Sequence, residues 1–93
     1  MKIAKIGSTV LAESDNTVVV EGNHYFPANA VNWEFFTKTD KTSSCSWKGT
    51  AEYYSVKVDG HDLANVAWCY AETLEKATEI KGHIAFYPQI TVE

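Results

Sequence analysis

The stretch Cys45-Ser46-Trp47-Lys48-Gly49-Thr50-Ala51-Glu52-Tyr53-Tyr54 gathers a thiol, an indole, an ammonium and two phenols around one glycine. A lysine among aromatic rings has two chemical uses. Its pKa can fall, making it a nucleophile or base, or it can act as a fixed charge for a carboxylate or phosphate. The bland alternative is an aliphatic stem lying along a Trp face with its ammonium in water. Glu21, just before Gly22, is a carboxylate that could pair with Lys48 or serve as a general base. His24 and His83 each precede aromatic residues and are candidate proton carriers, whereas His61 follows Asp59-Gly60 and reads as surface. The candidate catalytic groups are therefore Lys48, Glu21 and His83.

The aromatics extend the candidate site. Three Trp, five Tyr and four Phe exceed what a small core needs. Tyr and Trp carry a polar handle that favours a wet edge. A groove lined by Glu21, His24, Tyr25, Trp47, Lys48, Tyr53, Trp68 and Tyr70, with Tyr87 among its wet-edge aromatics, would suit a small ring-bearing or amphipathic ligand. Core packing alone is the competing account of the same rings. Cys45 beside a His would make a thiol nucleophile pair, but no local signature supports one, and Cys45 and Cys69 read as free, inert thiols. A metal site would need His24, His83 and Cys45 to converge, and their spacing matches no zinc pattern, so no metal ligands and no cofactor are expected. No glycine-rich phosphate loop is present.

These residues must be positioned by a small chain. Ninety-three residues imply one domain, 1–93, with a single modest core. Eight lysines, no arginine and net charge −4 argue against a nucleic-acid or anionic-membrane partner. The N-terminus lacks a signal-like apolar core and no run is long enough to span a bilayer, which reads as a soluble, cytoplasmic protein. The expected partner is a small-molecule ligand, on a monomer or homodimer.

Period-two runs place most elements. Residues 1–7 read as a loose start or an edge strand. Thr9–Glu13 and Thr17–Glu21 read as a hairpin closed by Ser14-Asp15-Asn16. Pro27-Ala28-Asn29-Ala30 is a short turn and Val31–Phe36 a strand. Residues 37–44 are a polar loop, with a short strand returning over Cys45–Trp47. Thr50–Val58 and Ala64–Tyr70 form a hairpin on Asp59-Gly60. Glu72–Ile80 is the one expected helix, with Leu74, Ala77 and Ile80 on one stripe. His83–Tyr87 and Ile90–Val92 are the last strands. The sum is a mainly β, mostly antiparallel fold of seven or eight strands with one or two short helices.

Four groups of residues resemble the domain-of-unknown-function family numbered 427. They are Val-Val-Glu-Gly-Asn-His-Tyr-Phe-Pro at 19–27, Cys-x-Trp-Lys-Gly-x-Ala-x-Tyr-Tyr at 45–54, Ala-Trp-x-Tyr at 67–70 and Ile-x-Gly-His-x-Ala-Phe-Tyr at 80–87. The resemblance implies a compact complex of coiled, mostly antiparallel sheets, similar to a fold shared with small zinc-binding domains, whose Cys-x-x-Cys pairs this chain lacks. The family carries a nucleotidyltransferase label in some collections and brings no settled activity. One departure is visible: the family usually has proline shortly after the Trp-x-Tyr group, where this chain reads Ala71-Glu72-Thr73. Two functional classes stay open, a small-ligand pocket built on the Lys48–Glu21 pair and an interaction or assembly module using an aromatic surface patch.

Overall fold

The computed structural model describes all residues, Met1–Glu93. Nine strands form three antiparallel sheets: β1 Lys2–Ile6, β2 Thr9–Ser14, β3 Val18–Val20, β4 Asn23–Tyr25, β5 Phe36–Cys45, β6 Gly49–Val58, β7 His61–Cys69, β8 Ile84–Phe86 and β9 Thr91–Val92. The sheet orders are β2-β1-β9, β3-β4 and β5-β6-β7-β8. The fold class is the mainly β, mostly antiparallel one expected, and its helical parts are short 3-10 turns.

Tight turns decide the pairing near the N-terminus. β2 pairs with β1 across Gly7-Ser8, and β3 pairs with β4 across Glu21-Gly22. The expected hairpin of residues 9–21 therefore does not form: two two-residue turns outcompete the three-residue polar link between β2 and β3. β1 is central in its sheet, with β9 on its other side, so residues 1–7 are neither loose nor an edge. Glu21 and Gly22 both have positive φ, 53° and 80°, the turn geometry whose twist matches its flanking strands.

Three further expectations are corrected. Residues 31–36 are a 3-10 turn over Trp33–Phe35, because Asn32 is bonded to β2 through its backbone N–H to the Leu11 carbonyl and its side-chain amide to the Val10 carbonyl. Residues 37–44 are strand, not loop. Their Thr and Lys suit an exposed edge, where polar side chains and a bulge discourage pairing with other chains. The chain turns at Ser46–Lys48, so Cys45–Trp47 forms no separate strand.

The expected helix at 72–80 is a 3-10 turn, Glu75–Ile80, broken at Ala77 (φ −116°, ψ 17°). Its flanks are held by partners outside it. Leu74 N–H donates to the Lys48 carbonyl and Gly82 N–H to the Tyr70 carbonyl. Ala77 and Ile80 are buried as the stripe predicts, but Leu74 faces solvent.

The largest sheet is covered on both faces. Val56, Ala67, Cys69, Ile84 and Phe86 join the main core with Leu11, Phe26 and Ile90. Ala51, Tyr53, Tyr70 and Ala85 join a second core with Tyr25, Ala77 and Ile80. Bulges in β5 at residues 39–41 and in β7 at 64–66 lie on either side of β6. The Thr39 hydroxyl donates to the Asn65 side-chain oxygen at 2.6 Å, linking them across that strand. Paired bulges coil a sheet. The β7 bulge also explains why Val66 joins the main core, opposite Trp68 and Tyr70, although strict alternation would group all three.

Candidate functional site

The β3–β4 turn brings Glu21 against the turn that joins β5 to β6. Lys48 Nζ and Glu21 Oε1 form an ion pair there. Lys48 is 8% exposed and is the one buried charged residue of the fold, whereas the Glu21 side chain is 56% exposed. The ammonium lies 5.2 Å from the Trp47 ring centroid and 5.8 Å from that of Tyr70. Burial alone would depress the Lys48 ammonium, but the Glu21 carboxylate, with the Tyr70 and Tyr25 phenols, outweighs it and holds the pKa above the ordinary lysine value. Such a lysine is a fixed cation, and the arrangement opposes its use as a neutral nucleophile or base.

Gly49 makes this turn possible. Its φ of 117° is open to glycine, and a Cβ there would stand 3.2 Å from the Glu72 carbonyl oxygen. Cys45 ends β5 beside the same turn. Its thiol is lowered by the Trp47 backbone N–H, helped by the Lys48 N–H and ammonium against a smaller effect of burial. Cys69 is free, buried and pushed up to about 11 by burial.

Most of the remaining candidate residues are core. Tyr25, Tyr53 and Tyr70 are buried in the second core, and Trp47 packs on it. Burial pushes the Tyr25 phenol up, opposed by the hydrogen bond it accepts from Trp68 Nε1–H at 3.1 Å. Burial likewise raises Tyr70, opposed by Lys48. The Tyr53 hydroxyl bonds the Ser43 hydroxyl at 2.9 Å. Burial would raise this phenol, but the Ser43 and Tyr87 hydroxyls and Lys41 bring it below the ordinary value. His83 is tied through Nδ1 to the Lys81 carbonyl at 2.9 Å. No cluster of three or more His, Cys, Asp or Glu side chains is gathered in the fold.

Two candidate residues, His24 and Trp68, do meet at a cleft of about 360 Å³. Gly22 and Asn23 form one wall, Pro88, Ile90 and Val92 another, with Lys2, Phe86 and Tyr87 completing it. His24 Nδ1 is 3.0 Å from the Thr17 hydroxyl, which fixes the ring. Trp68 is fixed by Tyr25 through the indole hydrogen bond and an edge-on packing at 6.2 Å. Tyr87, 36% exposed, packs 4.7 Å from Trp68 and stacks 6.4 Å from Tyr53. Lys48 and Glu21 do not line this cleft; the ion pair instead anchors the hairpin that forms its Gly22–His24 wall.

Tyr87 is one of the wet-edge aromatics that the sequence singles out, and it lines the cleft with His24 and Trp68. Asn23 carries a signal too, since it lies in the first group of matching residues. Lys2 carries none, because it reaches the cleft only through β1 pairing with β9.

The family model described as a domain of unknown function (DUF427) matches residues 2–93, and the chain belongs to that family. No curated protein matches the chain. No helix is long and apolar enough to cross a membrane.

Proposed function

We propose that this DUF427 domain is a small-molecule-binding module whose ligand lies in the cleft of His24, Trp68 and Tyr87. The observation that carries the reading is the convergence of these three rings, from β4, β7 and the end of β8, on one concave site of about 360 Å³. Two of them are already fixed from behind, His24 by Thr17 and Trp68 by Tyr25. A preorganised surface that mixes aromatic rings with polar groups suits a small ring-bearing or amphipathic molecule. In this reading the buried Lys48–Glu21 pair is architectural and keeps the β3–β4 hairpin in place as a wall.

Native mass spectrometry of gently purified protein, followed by a thermal-shift fragment screen, tests the reading. The expected result is a bound ring compound whose affinity falls about tenfold or more in Tyr87→Ala, since a stacked ring contributes on the order of 1–2 kcal/mol. Lys48→Ala and Glu21→Gln should weaken it too, through the wall. A screen in which no hit responds to Tyr87→Ala, His24→Ala, Lys48→Ala or Glu21→Gln would sink the proposal.

A second reading has its own observation. Trp33, 39% exposed, sits 5.4 Å from both Phe36 and Tyr54, an aromatic patch on the opposite core's rim that could meet a partner protein. If this patch mediates self-association, Trp33→Ala shifts a sedimenting dimer to monomer. A wild-type chain that is monomeric at high concentration removes self-association as its use.

A further inference from the structure

Three clefts open on this molecule, and they differ in charge. The one between the β5–β6 and 71–74 segments contains Glu52 and Glu72. The one at the β6–β7 turn contains Asp59 and Asp62 beside Lys57 and His61. The cleft of His24, Trp68 and Tyr87 contains no carboxylate at all, although the chain carries net charge −4. Its ionisable groups are Lys2, His24 and Tyr87.

The acids next to its wall residues in the chain are engaged elsewhere, and Asp15, close to Lys2 across β1–β2, is paired with the N-terminal ammonium. Glu21, next to the wall residue Gly22, is paired with Lys48. Glu93, next to the wall residue Val92, is paired with Lys5 at 2.6 Å. Lys2 itself forms no ion pair. When the Thr17 hydroxyl donates to His24 Nδ1, the ring proton sits on Nε2 and is offered as a donor.

From this charge pattern we infer that the ligand is a flat ring bearing a negative group, with the ring against Trp68 and Tyr87 and the anion toward Lys2 and His24. The inference rests on the cleft reading above and adds the substrate class to it. A cationic analogue of the same ring gains the stacking but meets Lys2 as a like charge. A single charge contact in such a wet site corresponds to about fivefold in affinity, and salt reduces it.

Three probes share one ring and differ in charge: indole-3-acetate, 3-methylindole and tryptamine. Each is titrated into the ¹⁵N-labelled full chain at low salt, with amide shifts of residues 22–24, 68, 86 and 87 followed. The expected order is anion tighter than neutral ring by about fivefold and cation weakest, and the order flattens at high salt. Lys2→Glu, at an exposed position, should remove the anion's advantage over 3-methylindole. Equal affinity of all three probes at this cleft, or an anion preference that survives Lys2→Glu, overturns the charge inference and leaves the cleft reading standing. No shift at these amides with any probe at millimolar concentration overturns both.

Discussion

Lys48 is an ammonium with 8% exposure, and its partner decides its energetics. Breaking a buried pair by removing one charge leaves the other desolvated, whereas replacing the buried member by an apolar side chain of similar shape is often neutral. Lys48→Met should therefore keep the stem's packing against Trp47 and Tyr70 and change stability by less than about 1 kcal/mol. Glu21→Gln, which strands the ammonium, should cost about 1 kcal/mol, a figure kept small because the carboxylate is half exposed. Urea unfolding of both variants checks the order, and a costlier Lys48→Met would mean that the charge itself stabilises the fold. The two thiols separate as sharply. Cys45 is half-buried and lowered by the Trp47 backbone N–H, while Cys69 is buried and raised to about 11. Iodoacetamide at neutral pH should label Cys45 alone in the folded chain, read by peptide mass mapping. Labelling of Cys69 at a comparable rate would contradict its burial.

The β3–β4 hairpin is where side-chain chemistry and backbone geometry conflict. Glu21 has φ 53°, a region that costs an ordinary side chain about 1 kcal/mol and that Asn tolerates better. The residue is held there for its carboxylate, which reaches Lys48. Glu21→Asn should be stabilising by about 0.5–1 kcal/mol in a Lys48→Met background, where no ion pair is at stake, and neutral or destabilising in the wild-type background. A double-mutant cycle by chemical denaturation reads this; additive effects would mean the pair and the turn are independent. Gly49→Ala should cost about 1–3 kcal/mol, since its φ of 117° and the Glu72 carbonyl both exclude a Cβ. This level also shows what the sequence could reveal. The β6–β7 hairpin was legible from its Asp59-Gly60 turn, although the β7 bulge at 64–66 breaks the alternation that would group Val66 with Trp68, and Lys48 with Glu21 was legible as a pair from residue type. The helix over 72–80 was not, because Leu74 and Gly82 bond to Lys48 and Tyr70, partners distant in the chain. Nor was the strand over 37–44, whose polar residues read as loop until β6 is known to lie beside it. The cleft was half legible: His24, Trp68 and Tyr87 advertise themselves, but Lys2 arrives only through sheet pairing.

At the scale of the whole molecule, the two cores on either side of the largest sheet share one alkaline weakness. Five groups within or against them hold their protons more tightly folded than unfolded: Cys69, Tyr25, Tyr54, Tyr70 and Lys48. A group whose folded pKa is raised contributes stability that is complete below its unfolded value and is lost as pH climbs through the folded value. For Cys69 that window runs from the ordinary 9.0 to about 11. A rise of that size corresponds to about 2–3 kcal/mol. The raised phenols and Lys48 add to the loss from about pH 10 upward, while the lowered Tyr53 phenol acts against them. The chain should thus keep its unfolding free energy from pH 7 to 9, where the lowered Cys45 thiol acts in the stabilising direction, and fall by pH 11, measured by denaturant titration across that range. Cys69→Ala starts lower, because it leaves a small void at a buried site, but its curve should fall less between pH 9 and 11. The difference between the two curves isolates the thiol, since every other titrating group is common to both. Parallel curves would mean that Cys69 ionises in the folded protein as it does in the unfolded chain, and that the main core around it admits water.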